Sequence, residues 1–357
     1  MQPFAQRLIA WQRLHGRHSL PWQHASAYHV WLSEIMLQQT QVATVIPYYQ
    51  RFISAYPDVN ALATASMDDV LAHWSGLGYY ARGRNLHRAA QIIAENFGGE
   101  FPRNFEHIIE LPGIGRSTAA AICALAYHER RAILDGNVKR VLARYCGIEG
   151  WAGDKKVEEK LWQQAENLLP LPSRERVGER GADDHDIATY TQALMDMGAT
   201  VCTRSKPRCE ACPVQSDCVA LATDRIRQLP TPRPRKAIPE RHATMLLLMH
   251  GNDILLEKRA SVGIWGGMWS LPQFDDEASA RNWFVQQDLA ADNGERWATF
   301  THTFTHFKLH ISPLQIYLQR KPSMVAQAGN VWLSVDEAMG AAIPKPVRVL
   351  LEKYCLG

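Results

Sequence analysis

Leu111-Pro112-Gly113-Ile114-Gly115 separates two stretches of helical character, residues 104–110 and 116–127. Two glycines around one residue let the backbone take positive φ and turn several N–H groups toward one point. A helix beginning at Arg116 adds its positive end, so the turn reads as a cradle for a phosphate. Taken alone, it serves equally well as a tight connection between helices. Twenty positions after Gly115 comes Asp135, in Ile133-Leu134-Asp135-Gly136-Asn137-Val138-Lys139-Arg140, where an apolar stretch turns into a helix. A carboxylate there is, by itself, an N-cap.

Working outward, the chain keeps a helical period to about residue 220. Phe4, Leu8, Trp11 and His15 share one face, with Gly16 as the stop. Residues 82–97 align Leu86, Ala89, Ala90, Ile93 and Phe97 before Gly98-Gly99, and 137–146, 156–169 and 186–198 read similarly. The mixed-charge stretch 173–185 reads as a solvated loop. Three prolines in Leu229-Pro230-Thr231-Pro232-Arg233-Pro234 rule out helix and central strand and mark a boundary. Beyond it the period changes to strands over 244–249, 254–258, 269–274, 299–304, 309–318 and 331–334, with helices over 277–288 and 346–355. The expected organisation is a catalytic region 1–222, a linker 223–240 and a C-terminal module 241–357. The catalytic region divides into a six-helix part, about 25–130, and a part made of 1–24 with 131–222.

A length of 357 residues favours two or three cores, and 46% hydrophobic with 21% charged residues is ordinary globular composition. There is no run of 18 apolar residues and no signal-peptide pattern at the start. The expectation is a cytoplasmic protein without membrane contact. A net charge of +3 does not mark a nucleic-acid binder, so local clusters must. Arg204, Lys206 and Arg208 form one such cluster and Arg82, Arg84 and Arg88 another, though a run of charge also serves as a solvated face.

Four of the seven cysteines fall in Cys202-x6-Cys209-x2-Cys212-x5-Cys218. A single Cys-x-x-Cys knuckle fits a cubane iron–sulfur cluster better than the paired knuckles of structural zinc. Cys123, Cys146 and Cys355 read as core thiols. Glu34 lies among large apolar neighbours in Val30-Trp31-Leu32-Ser33-Glu34-Ile35-Met36-Leu37. Burial raises a carboxyl pKa, which suits a general acid, although a partly solvated glutamate on a helix edge has the same sequence.

The hairpin followed by Asp135 resembles the helix-hairpin-helix superfamily of base-excision DNA glycosylases. Within it, Ser33-Glu34-Ile35-Met36-Leu37-Gln38-Gln39-Thr40-Gln41-Val42, residues 133–140 and Gly76-Leu77-Gly78-Tyr79-Tyr80-Ala81-Arg82 resemble the MutY family of adenine glycosylases. That resemblance implies a multi-domain protein: an all-α helix-hairpin-helix glycosylase domain carrying one [4Fe-4S] cluster on Cys202, Cys209, Cys212 and Cys218, and an α+β Nudix-like domain. It implies that Glu34 protonates adenine N7 and Asp135 stabilises an oxocarbenium-like sugar. Arg17, Leu20, Trp22, Ser117 and Asp196 would line the adenine pocket. Gln39 and Tyr79 would fill and wedge the base stack, while Gln38, Thr40, Arg82, Gly113, Gly115, Asn137, Lys139, Arg204, Lys206 and Arg208 would contact DNA. Relatives that also cleave the strand carry a lysine where this chain has Ser117, so cleavage is expected to be weak.

Leu255-Leu256-Glu257-Lys258-Arg259 and Trp265-Gly266-Gly267-Met268-Trp269-Ser270-Leu271-Pro272 resemble the opening strands of a Nudix domain. The acidic helix that would hold magnesium is missing, with Glu277 nearly alone, which implies lesion reading without hydrolysis. Phe304-Thr305-His306 stands where the family places a Phe-Ser-His loop associated with 8-oxoguanine; the bland alternative is a strand cap. The expected substrate is double-stranded DNA with adenine opposite 8-oxoguanine or guanine, bound by a monomer. An endonuclease III-like glycosylase/lyase and a non-enzymatic iron–sulfur DNA-binding or redox protein are the competing readings.

Overall fold

A computed structural model describes residues 2–23, 25–170, 184–234, 237–286, 294–319 and 329–356. Most of the polar stretch read as a loop, 173–183, lies outside the described residues; its last two members open a helix. The chain forms two compact units, 1–63 with 88–235 and 64–87 with 236–357. Helices run in the order α1 (Phe4–His15), α2 (Ala27–Leu37), α3 (Val42–Ala55), α4 (Val59–Thr64), α5 (Met67–Trp74), α6 (Ala81–Phe97), α7 (Phe105–Glu110), α8 (Arg116–Tyr127), α9 (Gly136–Tyr145), α10 (Lys155–Asn167), α11 (Asp184–Thr200) and α12 (Val219–Ala222). Among the described residues no helix is long and apolar enough to cross a membrane.

In the first unit, α2 is apolar on most of its surface and buries Trp31, Leu32 and Met36 completely. An all-round apolar helix must sit inside a bundle. Its neighbour α8 supplies Ala119, Ala120, Ala121 and Ala124, small enough for close approach. Leu8, Leu134, Val138, Leu142, Tyr190 and Leu194 from α1, α9, α11 and the strand-like entry to α9 share one core. Each fully buried aliphatic there contributes about 1.5–3 kcal/mol. Within the stretch of helical period, α3 carries Pro47 inside it, and the packing of Val45, Tyr49 and Phe52 on one face outweighs the poor propensity of that residue. α2 stops at Leu37, and residues 38–41 form the turn that leads into α3.

The second unit is built on strands β1 (Glu240–His250), β2 (Asp253–Lys258), β3 (Trp269–Ser270), β4 (Gln273–Phe274), β5 (Glu295–Arg296), β6 (Phe300–Thr303), β7 (Lys308–Tyr317) and β8 (Asn330–Ser334), with α13 (Glu277–Gln286), α14 (Val335–Gly340) and α15 (Lys345–Leu356). β1 pairs in parallel with β7 and antiparallel with β2 and β4. Ala243 to Met249 are all buried and, Thr244 apart, apolar, as in a strand covered on both faces. The single strand expected over 269–274 is split at Leu271-Pro272, because Pro272 has no N–H to give; its carbonyl instead accepts from Leu246 N–H at 2.9 Å. α14 was missed although Ser334 and Glu337 form a capping box, a signature present in the sequence. Cys123 is buried as expected, whereas Cys355 is exposed on the outer side of α15 and not a core thiol.

Residues 64–87 are fastened within this second unit. Lys258 pairs with Asp68, Trp269 Nε1 donates to Asp68 at 3.3 Å, and Ser75 Oγ donates to the Ile343 carbonyl at 2.9 Å. Arg84 Nη1 donates to the Gly266 carbonyl at 2.7 Å.

Gly198 sets how closely α11 approaches α9: a Cβ built there lies 2.6 Å from Asn137 Cβ. Gly198→Ala gains about 1 kcal/mol of helix propensity but overpacks the contact by about 1–3 kcal/mol. Net destabilisation is therefore expected, measured as a lower urea midpoint; an unchanged or higher midpoint would show that the contact is slack.

Candidate active site and recognition elements

The hairpin uses its glycines unequally. Gly113 has φ +83°, whereas Gly115 is extended and N-caps α8. A Cβ on Gly115 would meet nothing within 4 Å, so open space lies over the first N–H groups of α8. Gln38 Nε2 donates to the Gly113 carbonyl at 3.4 Å and ties the turn after α2 to the hairpin.

Asp135 caps α9, its Oδ1 accepting from Val138 N–H at 2.7 Å. Ser117, on the first turn of α8, accepts from Leu134 N–H at 2.9 Å and so fixes the backbone just before Asp135. Glu34 comes from the other side of the bundle, on α2. Burial and then the neighbouring Asp135 charge push its pKa from 4.5 up to about 8. Asp135 is itself pushed up by burial, but the N–H groups of Val138 and Asn137 and the charges of Arg140 and Lys139 oppose the rise. Two carboxyls 101 positions apart thus share one poorly solvated place, and only Asp135 has N–H groups and basic side chains that partly offset the cost of its charge.

The residues expected to line the adenine pocket are held by each other. Arg17 Nη2 meets Asp196, itself fully buried, at 2.5 Å, and the Arg17 backbone N–H donates to the same carboxylate at 2.8 Å. Gln23 braces that loop through the Leu20 N–H at 3.0 Å and the Arg17 carbonyl at 2.6 Å. Trp22 is buried edge-on against Tyr49. Trp22 also lines a cavity of about 530 Å³ with Gln23, Val30 and Gln192; Glu34 and Asp135 do not line it. Lys139 is paired with Glu158 at 2.6 Å.

Two of the residues expected to meet the base stack carry backbone strain. Gln39 has φ +59° and Tyr79 φ +52°, a left-handed conformation that non-glycine residues rarely hold without reason. Both side chains are exposed, Tyr79 by 45%. Arg82, read from sequence as a DNA contact, is only 8% exposed and lies between the Trp74 and Tyr79 rings, with Nη2 on the Gly78 carbonyl. It supports Tyr79 from below, since its guanidinium is turned away from solvent.

All four cysteines of the spaced set line one small cavity with free thiols, although no three described His, Cys, Asp or Glu side chains converge as for a single metal ion. Four cysteine sulfurs on one cavity are the donor set of an iron–sulfur group, and burial with mutual repulsion raises the Cys209, Cys212 and Cys218 thiols. Arg204, Lys206 and Arg208 are exposed on the same loop. Sequence reading missed what holds this loop. Arg144, 2% exposed, donates to Leu229, Thr203 and Arg204 carbonyls and to Cys202 Sγ at 3.3 Å, and Arg140 donates to the Cys202 carbonyl at 2.7 Å. The i, i+4 spacing of two arginines on α9 was its only trace in sequence.

In the second unit, Phe304-Thr305-His306 forms the turn between β6 and β7, with Phe304 stacked on Phe307 at 4.4 Å and Thr305 and His306 exposed. Glu277 is bound by Arg281 at 2.7 Å and Arg296 at 2.8 Å.

Residues 32–167 match the family model of HhH-GPD superfamily base excision DNA repair proteins, 202–218 the iron–sulfur binding domain of endonuclease III, and 243–353 the NUDIX domain. The chain is 37% identical to an adenine DNA glycosylase of Buchnera aphidicola subsp. Acyrthosiphon pisum (strain APS) over 98% of this chain and 97% of that one. It is 32% identical to adenine DNA glycosylase of Homo sapiens, covering 98% of this chain and 74% of the human one. Among solved structures, a thermostable thymine-DNA glycosylase superposes with TM-score 0.52 at 26% identity, over 62% of this chain and 95% of that one.

An acid whose folded pKa exceeds its ordinary value keeps a proton in the native state that the unfolded chain has lost. Stability therefore falls as pH rises from about 4.5 to about 8. Glu34→Gln removes this dependence. The stability of the variant relative to the parent is expected to grow with pH across that window and to level off above it; parallel pH profiles would place Glu34 in water.

Proposed function

Since this chain belongs to the adenine DNA glycosylases, within the helix-hairpin-helix base-excision superfamily, we propose that it hydrolyses the N-glycosidic bond of adenine opposite 8-oxoguanine, and of adenine opposite guanine. The observation that carries the reading is the unequal pair of carboxyls, Glu34 protonated near neutral pH beside an Asp135 whose charge is supported. Adenine leaves poorly until N7 carries a proton, so an acid of pKa about 8 is matched to the task. Glu34 gives its proton to N7, the electrons of the sugar–base bond go to the base, and Asp135 offsets the positive charge left on the sugar. Water then completes the sugar, and its proton returns to Glu34.

The remaining residues take roles by position. The hairpin, with Gly113 and Gly115, Arg204, Lys206 and Arg208 hold phosphates; Gln39 and Tyr79 enter the stack vacated by the flipped base, a contact worth about 1–3 kcal/mol. Arg17, Leu20, Trp22 and Asp196 shape the adenine pocket. The four cysteines hold a [4Fe-4S] cluster, which supplies a fixed scaffold for the basic loop. Residues 241–357 read the base opposite adenine through Phe304-Thr305-His306, with Glu277 occupied by two arginines and so withdrawn from metal binding. Ser117 offers no amine and Lys139 is engaged by Glu158, so the strand stays whole.

Duplexes carrying adenine opposite 8-oxoguanine, adenine opposite guanine, or thymine glycol test the reading. Breaks at the adenine only after alkali are expected; breaks before alkali, or activity on thymine glycol alone, sink it. Glu34→Gln is expected to slow single-turnover excision about 100- to 10,000-fold. Asp135→Asn keeps an oxygen for the cap, so it is expected to fold and bind DNA while losing excision. Normal turnover in either variant would remove that residue from the chemistry.

A further inference from the structure

Tyr79 and Phe304-Thr305-His306 lie more than two hundred positions apart in sequence but belong to the same compact unit, and a chain of contacts joins them. Tyr79, at φ +52°, precedes α6, and its carbonyl accepts from Arg82 N–H at 2.8 Å. One residue on, the Tyr80 carbonyl accepts from Arg84 N–H at 3.1 Å. The Arg84 guanidinium donates to the Gly266 carbonyl at 2.7 Å. Gly266 sits in a turn so tight that a Cβ on it would lie 2.5 Å from the Ser261 carbonyl oxygen. Its neighbour Trp265 is buried and also left-handed, at φ +55°. The Trp265 ring packs on His302 at 5.8 Å and on Phe304 at 5.4 Å, and His302 meets Phe304 edge-on at 4.6 Å. Of the five non-glycine residues with positive φ among those described, one therefore stands at each end of the Arg84–Gly266 bond.

A strained, buried tryptophan persists only where its surroundings over-determine it. Here those surroundings are the turn that the arginine grips and the loop that the ring supports. We infer that Arg84 and Trp265 are positioning residues that make the Tyr79 turn and the Phe304-Thr305-His306 loop one rigid reader of the base opposite the target adenine. The inference rests on the proposed reading of that loop as the sensor of a damaged purine. Its logic is mechanical: a wedge and a sensor on one body keep a fixed spacing, so a damaged purine meets both at once. Loosening the link leaves each element present but lets the spacing vary, and discrimination falls even though the contacting side chains are intact.

The test compares single-turnover excision of adenine opposite 8-oxoguanine and opposite guanine. Arg84→Met is expected to lower the ratio of the two rates about five- to tenfold, and adding it to Phe304→Ala is expected to change the ratio little further. A purely structural defect would instead slow both substrates together, so an unchanged ratio, or fully multiplicative effects in the double variant, overturns the inference. Trp265→Leu removes the other half of the link and serves if Arg84→Met does not fold. Hydrogen exchange provides a readout independent of substrate. Arg84→Met is expected to speed exchange at Phe304 N–H, which is bonded to the Phe307 carbonyl at 2.9 Å. Unchanged exchange there overturns the coupling whatever the substrate preference, whereas a parent protein with no preference for 8-oxoguanine but faster exchange in the variant refutes only the proposed reading of the loop.

Discussion

The hydrogen bond from Val138 N–H to Asp135 makes that carboxylate part of a helix. Capping fixes the position of the side chain to the geometry of α9, and the positive end of the helix supports its charge where burial opposes it. Everything else around the site maintains that arrangement. Ser117 holds the backbone before Asp135, Gly198 lets α11 lie against Asn137, and Arg140 and Arg144 run from the same helix to the cysteine loop. The glycine hairpin, the Asp135 carboxylate and the cysteine loop are thereby fastened to two neighbouring helices, α8 and α9.

Glu34 shows the complementary device. It is buried and feels the charge of a second carboxyl, Asp135. Burial alone would raise the pKa of both groups. The difference between them comes from backbone N–H groups and basic side chains supplied to only one, so proton donor and anion are separated by local hydrogen bonding and not by residue type.

How much of this was legible in sequence depends on how locally it was encoded. The cysteine spacing, the hairpin and the helix that starts at Asp135 are contiguous patterns, and they could be read residue by residue. Glu34 was legible because its apolar neighbours flank it in sequence. The bounds of helix α3 were not, since Pro47 stands inside it and the packing of Val45, Tyr49 and Phe52 carries the helix past that residue. The Arg17–Asp196 pair, the depth of Arg82 and the bond between Arg84 and Gly266 join segments far apart, and no local pattern states them. Strain was equally silent: nothing in the identities of Gln39, Tyr79 or Trp265 announces a left-handed backbone.

Ser117 has a consequence at the level of the whole duplex. Its hydroxyl is already engaged in holding Leu134 N–H, and it offers no amine to open the sugar. Under the proposed activity, the product is a missing base on an uninterrupted strand, facing a partner strand that still carries the purine once opposite it. With one backbone left continuous, later repair of that purine would meet an intact opposite strand, and the two strands would not be broken at the same step.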